Sequence, residues 1–348
     1  MSADGPALPE PRGPLSAAVL AALRTGATAA YSVAGADPYG EDLQLALYCC
    51  YELHYRGFAG VADEREWDPD VLRCRAELER AFLAALWGDV PAGADVGAEI
   101  DALLVEPVDG RGVSHHLCDG GQLWQLREYV AHRSLYHLKE ADPQAFVIAR
   151  LDGPAKSALV SIEHDEYGAG DPQRMHSHLF AEMMRALRLD PAYGRYLDSS
   201  SAPALAEVNF MSLCGLHRSL RGALLGQFAA VELTSSPGSA RLVRGMRRMG
   251  LPAAATDFYA EHIEADAVHE QLVRRGVIWP LLAVEPELAS DIVFGIRASG
   301  YLGDRFGRWL LDRWAEDRPS LRTALPDAPV EQRTAPERVR PNAIRQCP

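Results

Sequence analysis

The chain has little of what marks secreted, membrane-spanning or disulfide-rich proteins. Only six of its 348 residues are cysteine, and no two of them are spaced as CxxC, so neither a disulfide framework nor a cysteine zinc site is indicated. No apolar run approaches the roughly 18–20 residues that cross a bilayer. The proline-rich start, residues 1–14, lacks the apolar core of a signal peptide. We therefore expect a cytoplasmic protein with free thiols and no membrane partner.

Positive charge is also scarce. The 35 Lys and Arg residues are outnumbered by 48 Asp and Glu residues, which gives a formal net charge of −13. Nucleic-acid backbones are bound by positively charged surfaces, so we expect no nucleic-acid partner. Hydrophobic residues make up 48% of the chain, which is enough to bury a substantial core. The length allows one large domain or two.

The hydrophobic pattern predicts an all-α fold, because alternating β-branched runs are rare and the dominant period is 3.6 residues. Helices are predicted over 42–55, 70–87, 121–138, 155–166, 174–187, 202–216, 220–233, 240–249, 253–275 and 290–314. A helix break is predicted at residues 235–238 (SSPG). We expect a disordered tail at 1–14, a helical N-terminal region at 15–120, a helical bundle at 121–316 and a disordered tail rich in Pro and Arg at 317–348.

One predicted helix carries three potential metal ligands on one face. His262, Asp266 and His269 stand at i, i+4 and i+7, within about 60° of one another around a helix. Phe258 and Val273 lie on the same side, which indicates that this face points into the core. A single inward histidine is usually a satisfied core residue, but three such groups need partners. Their nitrogen and carboxylate donors suit iron, manganese or zinc.

Three more inward-facing candidates come from other helices. Glu232 ends an almost wholly apolar segment, although a solvent-facing position at a helix end is the alternative. Glu166 lies on the apolar stripe of its helix, and Glu163, one turn earlier, is the main competitor for the same role. His176 shares an apolar face, whereas His178 points outward. The six candidate ligands are Glu166, His176, Glu232, His262, Asp266 and His269. One catalytic zinc takes about three protein ligands, so a set of six suits two metal ions.

Other polar pairs are predicted to be structural. Glu128 and His132 stand four residues apart, and we interpret them as an exposed pair on a helix surface. Glu52 and His54 are two residues apart, so they diverge on a helix and do not face one metal ion together. We expect them to hold the N-terminal region together.

The order of the motifs resembles that of a known family. DEYGAG at 165–170 with a downstream histidine, a glutamate before a Ser/Thr-rich break, and HxxxDxxH at 262–269 are similar to the haem-oxygenase-like di-iron oxidases and oxygenases, also called iron-containing redox enzymes. The resemblance covers about residues 120–316. It implies a haem-oxygenase-like helical bundle that binds two non-haem iron ions, with manganese as the alternative metal, through the six ligands above.

The resemblance also implies an activity. Such enzymes use O2 as co-substrate to oxidise a small organic substrate by amine N-oxygenation, desaturation or C–C cleavage, so the six ligands are also the expected catalytic residues. The resemblance leaves room for a homodimer and for an external electron donor. Two alternatives stay open: a non-catalytic helical protein that holds a ligand or metal, and a mononuclear metal hydrolase. A large distance between Glu232 and His262 would argue against two metals.

Overall fold

The computed structural model describes residues 5–26, 31–106 and 110–325. Across these residues there is no β-strand, which confirms the all-α prediction. No helix among them combines the length and the apolar character that crossing a bilayer requires. The α-helices are α1 (Pro14–Thr25), α2 (Glu41–Glu52), α3 (Pro69–Asp89), α4 (Val96–Leu103), α5 (Val113–Asp119), α6 (Leu123–His137), α7 (Asp142–Ile148), α8 (Gly153–Glu166), α9 (His176–Ala186), α10 (Ala202–Leu216), α11 (Arg221–Arg248), α12 (Asp257–Gln271), α13 (Trp279–Val284) and α14 (Ala289–Ala315). A π-helix (Leu272–Ile278) joins α12 to α13, and short 3-10 helices occur at Asp63–Trp67, Gly168–Gly170, Arg218–Leu220, Ala253–Ala255 and Pro286–Leu288.

The long helix α11 lies at the centre of the molecule and packs against α5, α12 and α14. Its first half is buried on nearly all sides, because residues 222–233 are almost entirely apolar. Gly226 and Gly295 let α11 and α14 approach closely, since a Cβ on either glycine would overlap the backbone of the facing helix. On another side of α11, α12 presents the predicted ligand stripe to the core.

The predicted helix break at residues 235–238 is wrong, because α11 runs unbroken through them. Pro237 cannot donate the usual backbone hydrogen bond, but its side chain is partly exposed, so the ring lies on the surface of the helix and not in the core. Leu233 and Val243 are buried on either side of it. Burial of these flanking residues overrides the local preference for a turn.

The N-terminal helices share their hydrophobic core with the bundle. Residues of α1–α4 form one continuous cluster with residues of α8, α10, α11 and α14. A buried ion pair also joins the two parts: Lys139 Nζ, just after α6, lies 2.9 Å from Glu52 Oε2 of α2. The rings of Tyr48 and Tyr55 face this ammonium group. Both charges are almost fully buried, so each depends on the other for compensation.

Parts of both predicted tails are described. Residues 5–13 precede α1, and residues 317–325 follow α14. In the second segment Ser320 and Leu321 are buried against the bundle. The remaining residues of the two predicted tails, 1–4 and 326–348, lie outside the described residues.

Glu128 holds the segment that follows α14. Its Oε2 accepts hydrogen bonds from Trp314 Nε1 at 2.9 Å, from the Ser320 amide at 2.8 Å and from the Ser320 hydroxyl at 2.7 Å. The prediction that Glu128 and His132 form an exposed pair is therefore wrong, because both side chains are buried. Their burial depends on a contact that spans almost 200 residues of sequence.

We expect Glu128→Ala to lower the free energy of unfolding substantially. The substitution leaves three buried donors without an acceptor, at about 1–3 kcal/mol for each donor that stays unsatisfied. Urea denaturation followed by circular dichroism measures the change. Glu316→Ala is the matched control, because Glu316 is exposed and pairs with the exposed Arg318. This substitution should cost less than about 1 kcal/mol. Equal effects of the two substitutions would contradict the expectation.

Candidate metal centre

All six predicted ligands are buried, and four helices supply them. They are Glu166 from α8, His176 from α9, Glu232 from α11, and His262, Asp266 and His269 from α12. The outward orientation predicted for His178 agrees with its partly exposed side chain.

A sharp turn brings the first two ligands together. Glu166 is the last residue of α8, and His176 is the first residue of α9. Between them Gly168 and Gly170 adopt φ values of 81° and 89°, a left-handed conformation that glycine adopts without strain. The chain reverses there, so that His176 Nδ1 lies 2.7 Å from Glu166 Oε2.

One group of possible ligand atoms is formed by Glu140, Glu166, His176 and His262. These atoms all lie within 4.8 Å of one another. His262 Nε2 lies 3.9 Å from Glu140 Oε1, and the ring centroids of His176 and His262 are 4.3 Å apart. This first ligand group therefore offers two imidazole nitrogens and two carboxylates in one buried place.

A second ligand group is formed by Glu166, Glu232 and His269, again within 4.8 Å of one another. His269 Nδ1 lies 3.2 Å from Glu232 Oε2 and 3.4 Å from Glu166 Oε1. Asp266 lies at its edge, with Oδ1 3.8 Å from His269 Nδ1. Glu166 belongs to both groups, with Oε2 towards the first and Oε1 towards the second.

The contacts favour Glu166 over its competitor Glu163. The Glu163 side chain is buried, but neither of its oxygens has a hydrogen-bond partner in the described part of the chain, and it belongs to neither ligand group. Burial, with the negative charges of Glu166 and Glu232, raises the pKa of Glu163 to about 9. Glu163 is thus a neighbour of the centre, whereas Glu166 lies within it.

Glu140 was not among the predicted ligands. It lies in the turn between α6 and α7, where helical periodicity does not indicate which way a side chain points. Its Oε2 lies 3.0 Å from His137 Nδ1, and its Oε1 faces His262. The histidine three residues before it, at the end of α6, is a sequence feature that could have drawn attention to it.

The α12 backbone orients one of the imidazoles. His262 Nδ1 donates a hydrogen bond to the Phe258 carbonyl at 2.7 Å, so Nε2 is the ring nitrogen that faces the first ligand group. The Phe258 ring lies 4.3 Å from the His262 ring and covers it. Hydrogen bonds of this kind fix the tautomer and direction of histidines that bind metals.

The charges of the centre are strongly coupled. Burial disfavours the imidazolium forms, but Glu140 raises the pKa of His262 to about 10, and Glu232 raises that of His269 to about 9. Burial likewise opposes ionisation of Glu140, but the neighbouring histidines hold its pKa well below its usual value. Burial and the charge of Glu232 raise the pKa of Asp266 to about 6.

The residues fit a bound metal. In the described ranges no Lys or Arg forms an ion pair with Glu140, Glu166, Glu232 or Asp266. Within those ranges His176 Nδ1 is buried without a hydrogen-bond partner, although it is close to Glu166. His269 directs Nδ1 to Glu232 and Glu166, while its Nε2 lies 3.5 Å from Asp165 Oδ2. Buried carboxylates in excess, with imidazole nitrogens beside them, form a donor set that iron or manganese satisfies.

We expect metal affinity to rise with pH up to about pH 10, and more steeply below about pH 9. Without metal, His262 and His269 are protonated at neutral pH because their pKa values are about 10 and about 9. A metal ion must displace these protons, so the affinity falls by about tenfold per displaced proton for each pH unit below the pKa. Calorimetric Mn(II) titrations in two buffers of different ionisation enthalpy count the protons released. An affinity that does not change between neutral and alkaline pH would contradict this expectation.

Comparison with known proteins gives a family match. The model of a family described as iron-containing redox enzyme matches residues 127–304. This range includes the six predicted ligands and Glu140. The proposed centre therefore lies wholly inside the matched segment.

A curated relative is also similar to part of the chain. Nitrosourea synthase from Streptomyces achromogenes subsp. streptozoticus is 26% identical over 160 residues. The match covers 46% of this chain and 34% of the relative. The similarity thus spans about a third of the relative's length.

Proposed function

The chain belongs to the iron-containing redox enzyme family, and we propose that it is a non-haem di-iron enzyme that uses O2 to oxidise a small organic substrate. The observation that carries the proposal is the position of Glu166, which directs one oxygen to each of the two ligand groups. A carboxylate placed in this way can bridge two metal ions. A mononuclear hydrolase needs about three protein ligands and an open position. The centre has seven candidate ligands, which are the six predicted ones and Glu140, and this number supports two metal ions.

Each ligand group would hold one iron. Glu140, Glu166, His176 and His262 would hold the first, and Glu166, Glu232 and His269 would hold the second, with Asp266 at its edge as a further ligand. Bound iron would supply the activation of O2 and the electron transfer that oxidation requires. Manganese is the alternative metal, since the same donors suit it.

The protein's own contribution is to orient the ligands and exclude water. Phe180 and Phe258 pack edge to face, with ring centroids 5.0 Å apart, and the ring of His137 lies against both. Burial lowers the pKa of His137 to about 4, so this residue is neutral near pH 7 and donates a hydrogen bond to Glu140. This aromatic wall fixes Glu140 and keeps bulk water away from the first ligand group.

Of the three reaction classes expected for the family, we favour N-oxygenation. The name of the relative says that it makes a nitrosourea, a product in which nitrogen carries oxygen. Similarity over part of that protein supports an amine or another nitrogen compound as the substrate to test first. Desaturation and C–C cleavage are the other outcomes of the same test.

The experiment is oxygen uptake by the iron-loaded protein. The protein is loaded anaerobically with Fe(II), freed of unbound metal and exposed to O2 with a panel of amino acids, alkyl amines and alkyl carboxylic acids. We expect a substrate-dependent uptake that the metal-free protein lacks, with mass spectrometry identifying the oxidised product. Uptake no faster than that of free Fe(II), with every substrate unchanged, would favour the non-catalytic metal-binding alternative. A homodimer, an external electron donor, the absence of nucleic-acid and membrane partners, and a cytoplasmic location stay predictions.

A further inference from the structure

Asp266 differs from the other predicted ligands because a hydroxyl group already holds one of its oxygens. Ser235, three residues after Glu232 on α11, donates a hydrogen bond from Oγ to Asp266 Oδ2. The other oxygen, Oδ1, faces His269 Nδ1 at a distance of 3.8 Å. Asp266 thus has one oxygen fixed and one directed towards the second ligand group.

The hydroxyl lies where α11 and α12 face each other across the centre. Glu232 and Ser235 are separated by about one helical turn, so the same face of α11 supplies a ligand and the partner of another ligand. Asp266 is 98% buried, with 2% of its surface exposed. In such a place a carboxylate whose hydrogen bond is removed either turns away or stays unsatisfied.

The next residue along α11 has a different task. Ser236 Oγ donates to the backbone carbonyl of Ile263 at 3.3 Å, so its hydroxyl joins α11 to the α12 backbone and not to a ligand side chain. Ser235 and Ser236 therefore lie side by side where α11 contacts α12. The Ser235 hydroxyl bonds to a ligand side chain, whereas the Ser236 hydroxyl bonds to the α12 backbone. The difference provides a matched comparison within one protein.

We propose that Ser235 is a positioning residue that presents Asp266 to the metal ion held by Glu166, Glu232 and His269. The inference rests on the proposed two-metal function. With Oδ2 held by the serine, Oδ1 is the oxygen that is free for the metal. Groups that hydrogen-bond to metal ligands in this way typically contribute a factor of about 10–100 to metal affinity.

The proposal predicts an effect on one metal site only. Ser235→Ala should weaken the second metal by about 10–100-fold and leave the first unchanged, because the Ser235 hydroxyl is bonded to Asp266, which is not in the first ligand group. Ser235→Thr keeps the hydroxyl and should restore binding. Ser236→Ala should leave both affinities as in the wild type.

The test is anaerobic Fe(II) titration of the full chain by calorimetry, with the bound metal counted after gel filtration. The wild type and all three variants are compared, and their thermal unfolding shows whether each is folded. A second-site affinity in Ser235→Ala that equals or exceeds that of the wild type overturns the proposal. So does an equal loss at both sites, or the same loss in Ser236→Ala, since either indicates a general loosening of α12. If the wild type binds no second metal, the proposed function fails as well, whereas two metals bound with equal affinity by the wild type and Ser235→Ala contradict the role of Ser235 alone.

Discussion

Glu166→Ala is expected to lose both metal ions. Its two oxygens face different ligand groups, so one substitution removes a donor from each. The loss of affinity at each site should exceed the about 10–100-fold effect of removing a residue that only supports a ligand. Metal content after anaerobic loading with Fe(II) and gel filtration, measured by mass spectrometry, should fall from about two ions per chain to nearly none, and O2-dependent turnover should disappear with it.

The matched control is Glu163→Gln. Glu163 lies one turn earlier on the same helix and is equally buried, but it belongs to neither ligand group. The variant should therefore retain both metals. The reverse result, with metal lost from Glu163→Gln and retained in Glu166→Ala, would show that the competing assignment of the ligand is correct.

His262→Ala is expected to remove the first metal and abolish turnover. Its Nε2 is one of only two imidazole nitrogens in the first ligand group, and the other group keeps Glu232 and His269. Partial retention of the second metal is therefore expected. Mn(II) titration followed by electron paramagnetic resonance distinguishes one bound ion from two.

His178→Ala is the control for this substitution. His178 lies on α9, two residues after a proposed ligand, but its side chain is partly exposed and faces Glu182. It should bind metal as the wild type does. Equal metal content in the wild type, His262→Ala and His178→Ala would rule out the proposed centre.

Much of the centre follows from helical periodicity. The spacing of His262, Asp266 and His269 places them on one stripe, and the apolar neighbours show that the stripe is buried. The same argument placed Glu166 and His176 inward and His178 outward. Periodicity succeeds here because each of these side chains lies on or beside a regular helix, so its direction is fixed by its neighbours.

Other features depend on interactions that periodicity does not describe. Glu140 belongs to a turn, so its direction is set by the contacts of His137 and His262. The burial of Glu128 depends on Ser320, which is almost 200 residues away in sequence. Pro237 indicates a break by itself, but the packing of the helix on both sides keeps α11 continuous.

The buried Lys139–Glu52 pair has a consequence for how this fold can be divided. Lys139 directly precedes Glu140, whereas its counter-charge lies in α2, outside the matched segment 127–304. A buried charge that loses its partner costs about 3–5 kcal/mol. The part of the chain that must be kept together for the metal centre to stay intact is therefore larger than the segment that carries the ligands. A chimaera that takes residues 127–304 from a relative must also bring a compatible partner for the residue at 139.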